Sequence, residues 1–253
     1  KGAPVYTLSY KDQLVIKPSK LGLELKKEDA NKKTDFEWTE KNIDQSELDA
    51  KADFYNGFVL KDVQTSTFDE TWTPVWGEEK EIRNHYNELA VTLDQPKNKR
   101  CIVIRFRLFD DGLGFRYEYD TPADSLLLMD EYTSFNIAED GTSWSIPAEF
   151  NTYELLYRTM PLSEMPDANT PMTFKTKSGV YASIHEAALT DFPEMCLKNV
   201  GGTSLKSWLA SWPDKVKARF DSGKFQTAWR SIQIADKAVG LINSGLILNL
   251  NEP

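Results

Sequence analysis

Alternation of apolar and polar residues constrains the fold of this chain most strongly in the segment Arg100–Phe109. Successive side chains of a strand point to opposite faces, so the apolar residues of this segment share one face. Those residues are Ile102, Ile104, Phe106 and Leu108. Asp110–Gly112 then supplies a turn, and Phe115–Tyr119 returns as a partner strand. The segment therefore predicts an antiparallel hairpin with one buried face.

Similar runs recur along the chain between clusters of Gly, Pro, Asn and Asp. Further strands are predicted for Val5–Tyr10, Gln13–Lys17, Gly57–Phe68, Tyr86–Leu93, Leu126–Ala138, Tyr153–Pro161, Pro171–Lys175, Val180–Leu189, Leu205–Leu209, Trp229–Ala235 and Leu246–Leu250. Many short strands broken by turn residues indicate an all-β sandwich of antiparallel strands. Because no linker divides the sequence, we interpret residues 1–253 as a single domain.

Helical segments are expected to be few and short. Gln45–Lys51 is predicted as a short helix, and Ile234–Gly240 as a single helical turn. The charge-rich stretch Lys26–Lys51 is interpreted as an exposed excursion that carries one strand near Phe36–Trp38.

Charge excludes several classes of partner. The 253 residues carry a formal net charge of −9, whereas sequence-independent binding to nucleic acid needs a basic face. This charge gives no support for attraction to anionic membranes, and no apolar run approaches the ~18 residues of a membrane span. The two cysteines, Cys101 and Cys196, cannot make a disulfide framework or a four-ligand zinc site.

Common nucleotide-binding and hydrolytic motifs are missing from the sequence. It contains no P-loop, no dinucleotide-binding glycine fingerprint and no serine nucleophile motif. His185 and Glu186 begin the zincin pattern, but Leu189 occupies the second histidine position and the context is a strand. A zincin is therefore excluded.

Glu186 is a carboxylate on an otherwise apolar strand face. The other residues of that face are Val180, Ala182, Ile184 and Ala188. Because an isolated buried charge is costly, the carboxylate must be paired, coordinated or protonated. Two interpretations are open from the residues alone, a ligand for a hard cation such as calcium or an internal salt bridge. The candidate partners for a salt bridge are Arg105, Arg116 and Arg230.

A second region combines aromatic and polar side chains. Trp72 and Trp76 are followed by Asn87 and Glu88. These residue types suit a sugar, since rings stack on its C–H faces while amides and carboxylates bind its hydroxyls. The alternative is a rim loop whose tryptophans cap the core, with Arg83 and Glu88 as a surface pair.

Trp229 and Arg230 form a third candidate group at the start of a late strand. An arginine beside a tryptophan stacks on the ring or fixes a carboxylate. The alternative places the tryptophan in the core and the arginine in solvent.

Nine short segments, taken in order, resemble one known family. They are Ser19–Leu23, Trp72–Gly77, Tyr86–Leu89, Phe106–Tyr117, Glu131–Phe135, Tyr153–Tyr157, Ser183–Leu189, Thr227–Arg230 and Leu250–Pro253. Together they resemble the N-terminal domain of glycoside hydrolase family 97, known from Bacteroides-type α-glucosidases and α-galactosidases. The resemblance covers nearly the whole chain. Ala228 departs from it, because the family often has proline before the Trp-Arg pair.

The resemblance implies a β-super-sandwich like that of galactose mutarotases. In the family this domain precedes a (β/α)8 catalytic barrel and a small C-terminal β domain, both absent from this chain. It also implies that Glu186 reaches the active site and helps to ligate calcium, with the other ligands coming from the barrel. Glu186 is therefore expected to lack a partner within this chain.

The expected partners follow from the same resemblance. The substrate is expected to be an α-linked oligosaccharide, and the candidate substrate-binding residues are Trp72, Trp76, Asn87, Glu88, Trp229 and Arg230. No residue of this chain is expected to be catalytic, because the acid and base belong to the barrel. The resemblance implies a periplasmic or secreted protein.

Two other functions remain as alternatives. The first is a free-standing carbohydrate-binding module that uses Trp72 and Trp76. The second is a mutarotase-like sugar epimerase, whose chemistry needs an acid/base pair. His85 and His185 are the only histidines of the chain, so a cleft that holds both beside a carboxylate would favour the epimerase.

Overall fold

Strands dominate the fold of the chain. The computed structural model describes residues 2–27, 53–120 and 125–251. The strands within these residues are β1 Val5–Tyr10, β2 Gln13–Lys20, β3 Leu23–Lys27, β4 Asp53–Phe54, β5 Val59–Trp72, β6 Ile82–Gln95, β7 Arg100–Phe109, β8 Gly112–Asp120, β9 Leu126–Glu131, β10 Ser134–Ile137, β11 Gly141–Ser145, β12 Arg158–Pro161, β13 Ala168–Asn169, β14 Met172–Thr176, β15 Tyr181–Ala187, β16 Met195–Gly201, β17 Ser204–Leu209, β18 Ala218–Phe220, β19 Lys224–Gln226 and β20 Trp229–Ala235.

Helical structure is confined to short pieces in the described part of the chain. A 3-10 turn covers Leu162–Glu164, and two α-helices follow the last strand, α1 at Ala238–Ile242 and α2 at Leu246–Leu250. None of the helices among the described residues is long and apolar enough to cross a membrane.

The strands form three antiparallel sheets. The largest has ten strands in the order β12-β11-β14-β15-β20-β8-β7-β6-β5, with β19 beside β8. The second has six strands in the order β1-β2-β10-β17-β16-β13, and the third has four in the order β18-β9-β3-β4. These sheets confirm the predicted all-β class.

Both smaller sheets pack on the same face of the ten-stranded sheet. Tyr6 of β1 and Phe135 of β10 contact Phe115 of β8, with ring centroids 5.1 and 6.4 Å apart. From the four-stranded sheet, Phe54 meets Tyr119 of β8 at 5.6 Å. Buried residues of all three sheets belong to one apolar cluster. The predicted sandwich is therefore confirmed, with two sheets side by side against a third.

The predicted alternation in β7 holds over most of its length. Ile102 and Ile104 are buried in the core, whereas Leu108 is 49% exposed. Leu108 lies at an open end of the sandwich, in a cleft of about 950 Å³ between β1 and the strands β5 to β8.

The C-terminal helix α2 packs on the opposite, outer face of the ten-stranded sheet. Leu246 and Leu250 are buried there against Tyr86, Phe109 and Trp229. Leu246–Leu250 was predicted to be a strand, and that prediction is wrong. A run of five residues that is mostly apolar fits either structure, and in a helix Leu246 and Leu250 lie on one side, where both can be buried.

Two glycines of β8 make room for α2. A Cβ atom on Gly114 would lie 2.6 Å from the side chain of Leu250, and one on Gly112 would lie 2.7 Å from that of Leu246. Gly112 also has a φ of +153°, in the region that favours glycine. The backbone of β8 is thus bare where the two leucines rest on it.

Several predicted boundaries change in the structure. Leu126–Ala138 divides into β9 and β10, and Tyr153–Pro161 is a strand only from Arg158. The predicted helical turn in Ile234–Gly240 overlaps the start of α1. The predicted helix Gln45–Lys51 and strand near Phe36–Trp38 lie outside the described residues.

We expect Leu250→Ala to destabilise residues 1–253 by about 2–4 kcal/mol, because it removes buried methyl groups from the packing of α2 on the sheet. Leu248→Ala on the same helix should have little effect, since Leu248 is 49% exposed. Chemical denaturation followed by circular dichroism measures both changes. Equal destabilisation by the two substitutions would contradict the packing described here.

Candidate functional site

A buried cluster of three charged side chains joins two of the sheets. Arg230 of β20 lies opposite Glu186 of β15 in the strand register, and Glu131 ends β9 of the four-stranded sheet. The side chains of Arg230 and Glu131 have no exposed surface, and that of Glu186 is 5% exposed. The cluster therefore links the ten-stranded and four-stranded sheets through the interior.

The two carboxylates share the Arg230 guanidinium unequally. Its Nε and Nη2 atoms donate to Glu131 Oε1 and Oε2 at 2.9 and 2.7 Å. Its Nη1 atom donates to Glu186 Oε2 at 2.6 Å, and Glu186 Oε1 accepts from the backbone N–H of Met195 at 3.0 Å. With all three groups ionised, two negative charges face one positive charge, and the cluster carries a net charge of −1.

Burial and this imbalance act together on Glu186. Burial raises the pKa of Glu186 above its ordinary value, while the Arg230 guanidinium and the Met195 amide oppose that rise. Burial opposes the charge of Arg230, but Glu131 and Glu186 nevertheless hold the Arg230 pKa above its usual range. The guanidinium therefore stays charged, and Glu186 has the less fully compensated carboxylate.

The expectation that Glu186 has no partner within the chain is wrong. Of the three arginines considered for a salt bridge, Arg230 is the observed partner. Arg105 and Arg116 instead bind Glu118. The pairing does not test whether Glu186 also ligates a metal, which remains a prediction.

Glu131 escaped prediction as a site residue because β9 contains a bulge. Glu24 pairs with Asp130 and Leu25 pairs with Leu128, so the intervening residue of β9 has no partner in β3. Strict alternation from Leu128 would bury Asp130, but the extra residue shifts the pattern and buries Glu131 instead. An acidic pair at the end of an apolar strand was the available signal in the sequence.

Glu88 and Trp229 belong to a charged layer on the outer face of the ten-stranded sheet. Glu88 accepts hydrogen bonds from Arg105 and Arg107. The guanidinium carbons of Arg107 and Arg116 lie 4.8 and 4.5 Å from the Trp229 ring centroid, so two cations contact the ring. Trp229 is 1% exposed. Glu88 is thus engaged within the chain, and the Trp229 ring is covered.

Substrate contact by Trp229 and Arg230 remains a prediction, and neither side chain has an accessible surface in this structure. Trp229 is in the interior, as the alternative interpretation of the sequence predicted. Arg230 fixes carboxylates rather than pointing into solvent.

The predicted sugar-binding residues do not converge on one cleft. Trp72 Nε1 donates to Asn249 Oδ1 of α2 at 2.9 Å. Trp76 is 88% exposed in the loop between β5 and β6. Asn87 accepts a hydrogen bond from Thr67 at 2.9 Å and lines the cleft beside β1. Their binding of substrate remains a prediction.

The surface pair proposed between Arg83 and Glu88 is not formed. Arg83 binds Asp69 through two parallel hydrogen bonds of 2.8 and 2.7 Å. Glu88 is held by the other arginines described above, so the two residues have separate partners.

The two histidines lie far apart in the sheet. His85 is on β6 and His185 is on β15, with β20, β8 and β7 between these strands. At roughly 4.8 Å per strand, the separation is about 19 Å. His185 Nδ1 lies 3.2 Å from Thr170 Oγ1, and burial lowers the His185 pKa. No shared acid/base cleft is formed by these histidines, which removes the observation that would favour an epimerase.

The end of the described chain lies beside the end of β15. Asn251 Oδ1 accepts a hydrogen bond from the backbone N–H of Ala188 at 2.8 Å, two residues beyond Glu186. The loop that follows β15 is tied to the loop before β12 by a hydrogen bond from the Tyr153 hydroxyl to Glu194 at 3.2 Å. The C-terminal exit of the domain therefore lies beside the end of β15, the strand that carries Glu186.

Large apolar side chains are exposed on the loops around this exit. They are Val75, Trp76, Leu156, Tyr157 and Leu189, and we call them the exit rim. The loop of Val75 and Trp76 is tied to α2 through the Trp72–Asn249 hydrogen bond. Exposed apolar side chains of this size suit contact with another protein surface where they lie together.

A complete metal centre is not present among the described residues, where no three His, Cys, Asp or Glu side chains are placed to hold one. Calcium takes 6–8 oxygen ligands, and an ionised carboxylate offers about four lone-pair positions. Glu186 has one donor on each oxygen, so acceptor positions remain on both. The residue fits as one ligand of a site whose other ligands come from elsewhere.

We expect Arg230→Met to destabilise the chain by about 3–5 kcal/mol at neutral pH, because it leaves two carboxylates buried without a counter-charge. Arg83→Met is the matched control, since Arg83 also makes a two-bond contact with a carboxylate but is exposed and should change stability little. Denaturant midpoints and slopes of both variants test this. A similar small effect from both would contradict the structural role of the buried cluster.

Comparison with known proteins agrees with this fold. The family described as Glycosyl-hydrolase 97 N-terminal matches residues 1–253. A variant of a Glycoside Hydrolase Family 97 enzyme from Pseudoalteromonas sp. strain K8 is 35% identical, with a TM-score of 0.85 over 100% of this chain and 36% of its own. The enzyme in complex with acarbose is 36% identical over 99% of this chain and 35% of its own, again with a TM-score of 0.85.

A more distant structure shares the fold. A β-arabinopyranosidase is 18% identical over 92% of this chain and 37% of its own, with a TM-score of 0.75. The chain thus spans little more than a third of the length of these solved proteins. By the family match over its whole length and the identity to these enzymes, the chain belongs to glycoside hydrolase family 97, as the N-terminal domain of such an enzyme.

Proposed function

We propose that the chain serves a calcium-dependent, exo-acting α-glycosidase, either an α-glucosidase or an α-galactosidase, and supplies Glu186 as one calcium ligand. The observation that carries this proposal is the buried cluster of Glu131, Arg230 and Glu186, which has one negative charge too many when all three groups are ionised. A buried excess charge is costly unless it is compensated. A bound cation would supply that compensation, and carboxylate oxygen is a preferred ligand for calcium.

The position of Glu186 supports a site shared with another domain. Glu186 lies near the end of β15, and the loop after this strand contacts the C-terminal exit through Ala188 and Asn251. The solved relatives are much longer than this chain. We therefore propose that the exit rim contacts a catalytic barrel in the whole protein, and that the barrel completes the calcium site.

The division of chemistry follows from this arrangement. In glycoside hydrolysis one carboxylic acid protonates the leaving oxygen, and a second carboxylate acts as a base on water or as a nucleophile. We assign both to the barrel. Calcium, when bound, supplies positive charge that orients and polarises groups in the active site. The residues of this chain hold the Glu186 carboxylate in place through Arg230 and Met195 and keep water from its buried side.

The proposed substrate is an α-linked oligosaccharide. Structures of the Pseudoalteromonas enzyme in complex with acarbose and with panose support an oligosaccharide ligand. The proposed location, periplasmic or secreted, rests on the family resemblance of the sequence.

In the full-length protein, we expect Glu186→Gln to raise the calcium dissociation constant by about tenfold or more, because it removes one charged ligand. Hydrolysis of an aryl α-glycoside at limiting calcium should fall in parallel. Competition with a fluorescent chelator measures the affinity.

Glu118→Gln is the matched control for this experiment. Glu118 is also bound by arginines, but it lies on the outer face of the sheet with Arg105 and Arg116, so its calcium affinity should match that of the wild type. An unchanged affinity in Glu186→Gln would overturn the proposed metal role.

A free-standing carbohydrate-binding module is the second candidate function. Its supporting observation is Trp76, which is 88% exposed, so that its ring is free to stack on a sugar. The same ring belongs to the exit rim, where a second domain would cover it. These two roles differ in what the isolated chain can bind.

We expect residues 1–253 alone to bind α-linked oligosaccharides no more tightly than about 1 mM in calorimetric titration, since Trp76 has no converging polar partners among the predicted sugar-binding residues. Binding tighter than that, lost in Trp76→Ala but kept in Trp212→Ala, would favour the module. Trp212 is a suitable control because it is 55% exposed in another part of the fold.

A further inference from the structure

We propose that Glu131 is a positioning residue, which offsets the charge of Arg230 so that Glu186 remains attractive to a cation. This inference rests on the calcium role proposed for Glu186 and extends it to two residues in the interior. Glu131 has no exposed side-chain surface, so it acts through Arg230 and not by touching the ion.

The orientation of the guanidinium depends on Glu131. Glu131 accepts from both Nε and Nη2, at 2.9 and 2.7 Å, and so occupies one whole edge of the planar group. Glu186 is bound through Nη1, at 2.6 Å. A paired, two-bond contact of this kind fixes an arginine more firmly than a single bond does. Glu131 therefore prevents Arg230 from turning that edge toward Glu186.

The charge of Arg230 creates a problem for cation binding that Glu131 solves. Nη1 donates a hydrogen bond to a Glu186 oxygen. An ion on that carboxylate would therefore lie only a few ångströms from a positive guanidinium. Like charges at this separation repel strongly in a buried site. Glu131 adds a negative charge to the far side of the guanidinium, which reduces the repulsion and leaves the cluster with a net charge of −1.

Glu131 also anchors the site to the second sheet. It stands on β9, whereas Arg230 and Glu186 are neighbours on β20 and β15. The bulge in β9 is what turns the Glu131 carboxylate inward. An interior that needed only a partner for Glu186 would be satisfied by Arg230 alone. The second carboxylate is thus explained by the cation, and not by the pairing of Glu186.

The test uses Glu131→Gln in the full-length protein. The substitution keeps the shape and one acceptor oxygen, but it makes the cluster neutral. We expect the calcium dissociation constant, measured with a competing chelator, to rise about tenfold. In excess EDTA, the melting temperature should be equal to or higher than that of the wild type, because the excess buried charge is gone. A purely structural role for Glu131 would instead lower that melting temperature and leave the calcium affinity unchanged.

A double variant and two single variants complete the test. Glu131→Gln with Arg230→Gln restores a net charge of −1, and calcium affinity should recover relative to Glu131→Gln alone. Glu118→Gln should match the wild type in calcium affinity. Loss of folding in Glu131→Gln, or a calcium affinity within twofold of the wild type, would overturn the inference. If Glu186→Gln weakens calcium binding while Glu131→Gln does not, only this inference fails; if neither does, the proposed function fails.

Discussion

The sharing of the Arg230 guanidinium between Glu131 and Glu186 is the interaction on which the site depends. It connects the four-stranded sheet to the ten-stranded sheet at a point without solvent. Such a cluster is a weak source of stability, since desolvation of the charges opposes their attraction. Once the charges are buried, however, removal of Arg230 leaves both carboxylates without compensation, which is costly. The geometry of Glu186 is therefore set by the packing of two sheets and not by a surface loop.

The outer face of the sheet serves the same site by a different means. Bare backbone at Gly112 and Gly114 allows the leucines of α2 to pack directly on β8. This packing brings Asn251 to Ala188, beside the end of β15. The half-buried arginines and glutamates on the same face stabilise the fold only modestly. The stacking of Arg107 and Arg116 on Trp229 nevertheless covers the start of β20, the strand that carries Arg230. The exit of the domain is thus held beside the end of β15, the strand that carries Glu186.

Strand patterns were largely readable from the sequence, because one buried face produces a period of two residues. Trp229–Ala235 is a strand with the predicted boundaries, and β7 matches as well. Strands with mixed composition were missed, such as β16 and β11, because their burial comes from neighbouring strands that the local sequence does not reveal. The five-residue segment Leu246–Leu250 was predicted as a strand, since so short an apolar run has no decisive period.

The candidate site shows the same limit. Glu186 was recognisable from the sequence as a carboxylate on an apolar face. Arg230 was one of the three arginines considered as its salt-bridge partner. Choosing among them required the register of β15 against β20, which depends on distant parts of the chain. Glu131 was hidden by a bulge that reverses the alternation in β9.

The central question is whether a cation binds at this cluster and compensates its excess charge. A crystal structure of the full-length protein grown with calcium tests this most directly. We predict calcium at about 2.3–2.6 Å from a Glu186 oxygen, with Arg230 still bound to Glu131. A calcium ion coordinated without Glu186 would contradict it.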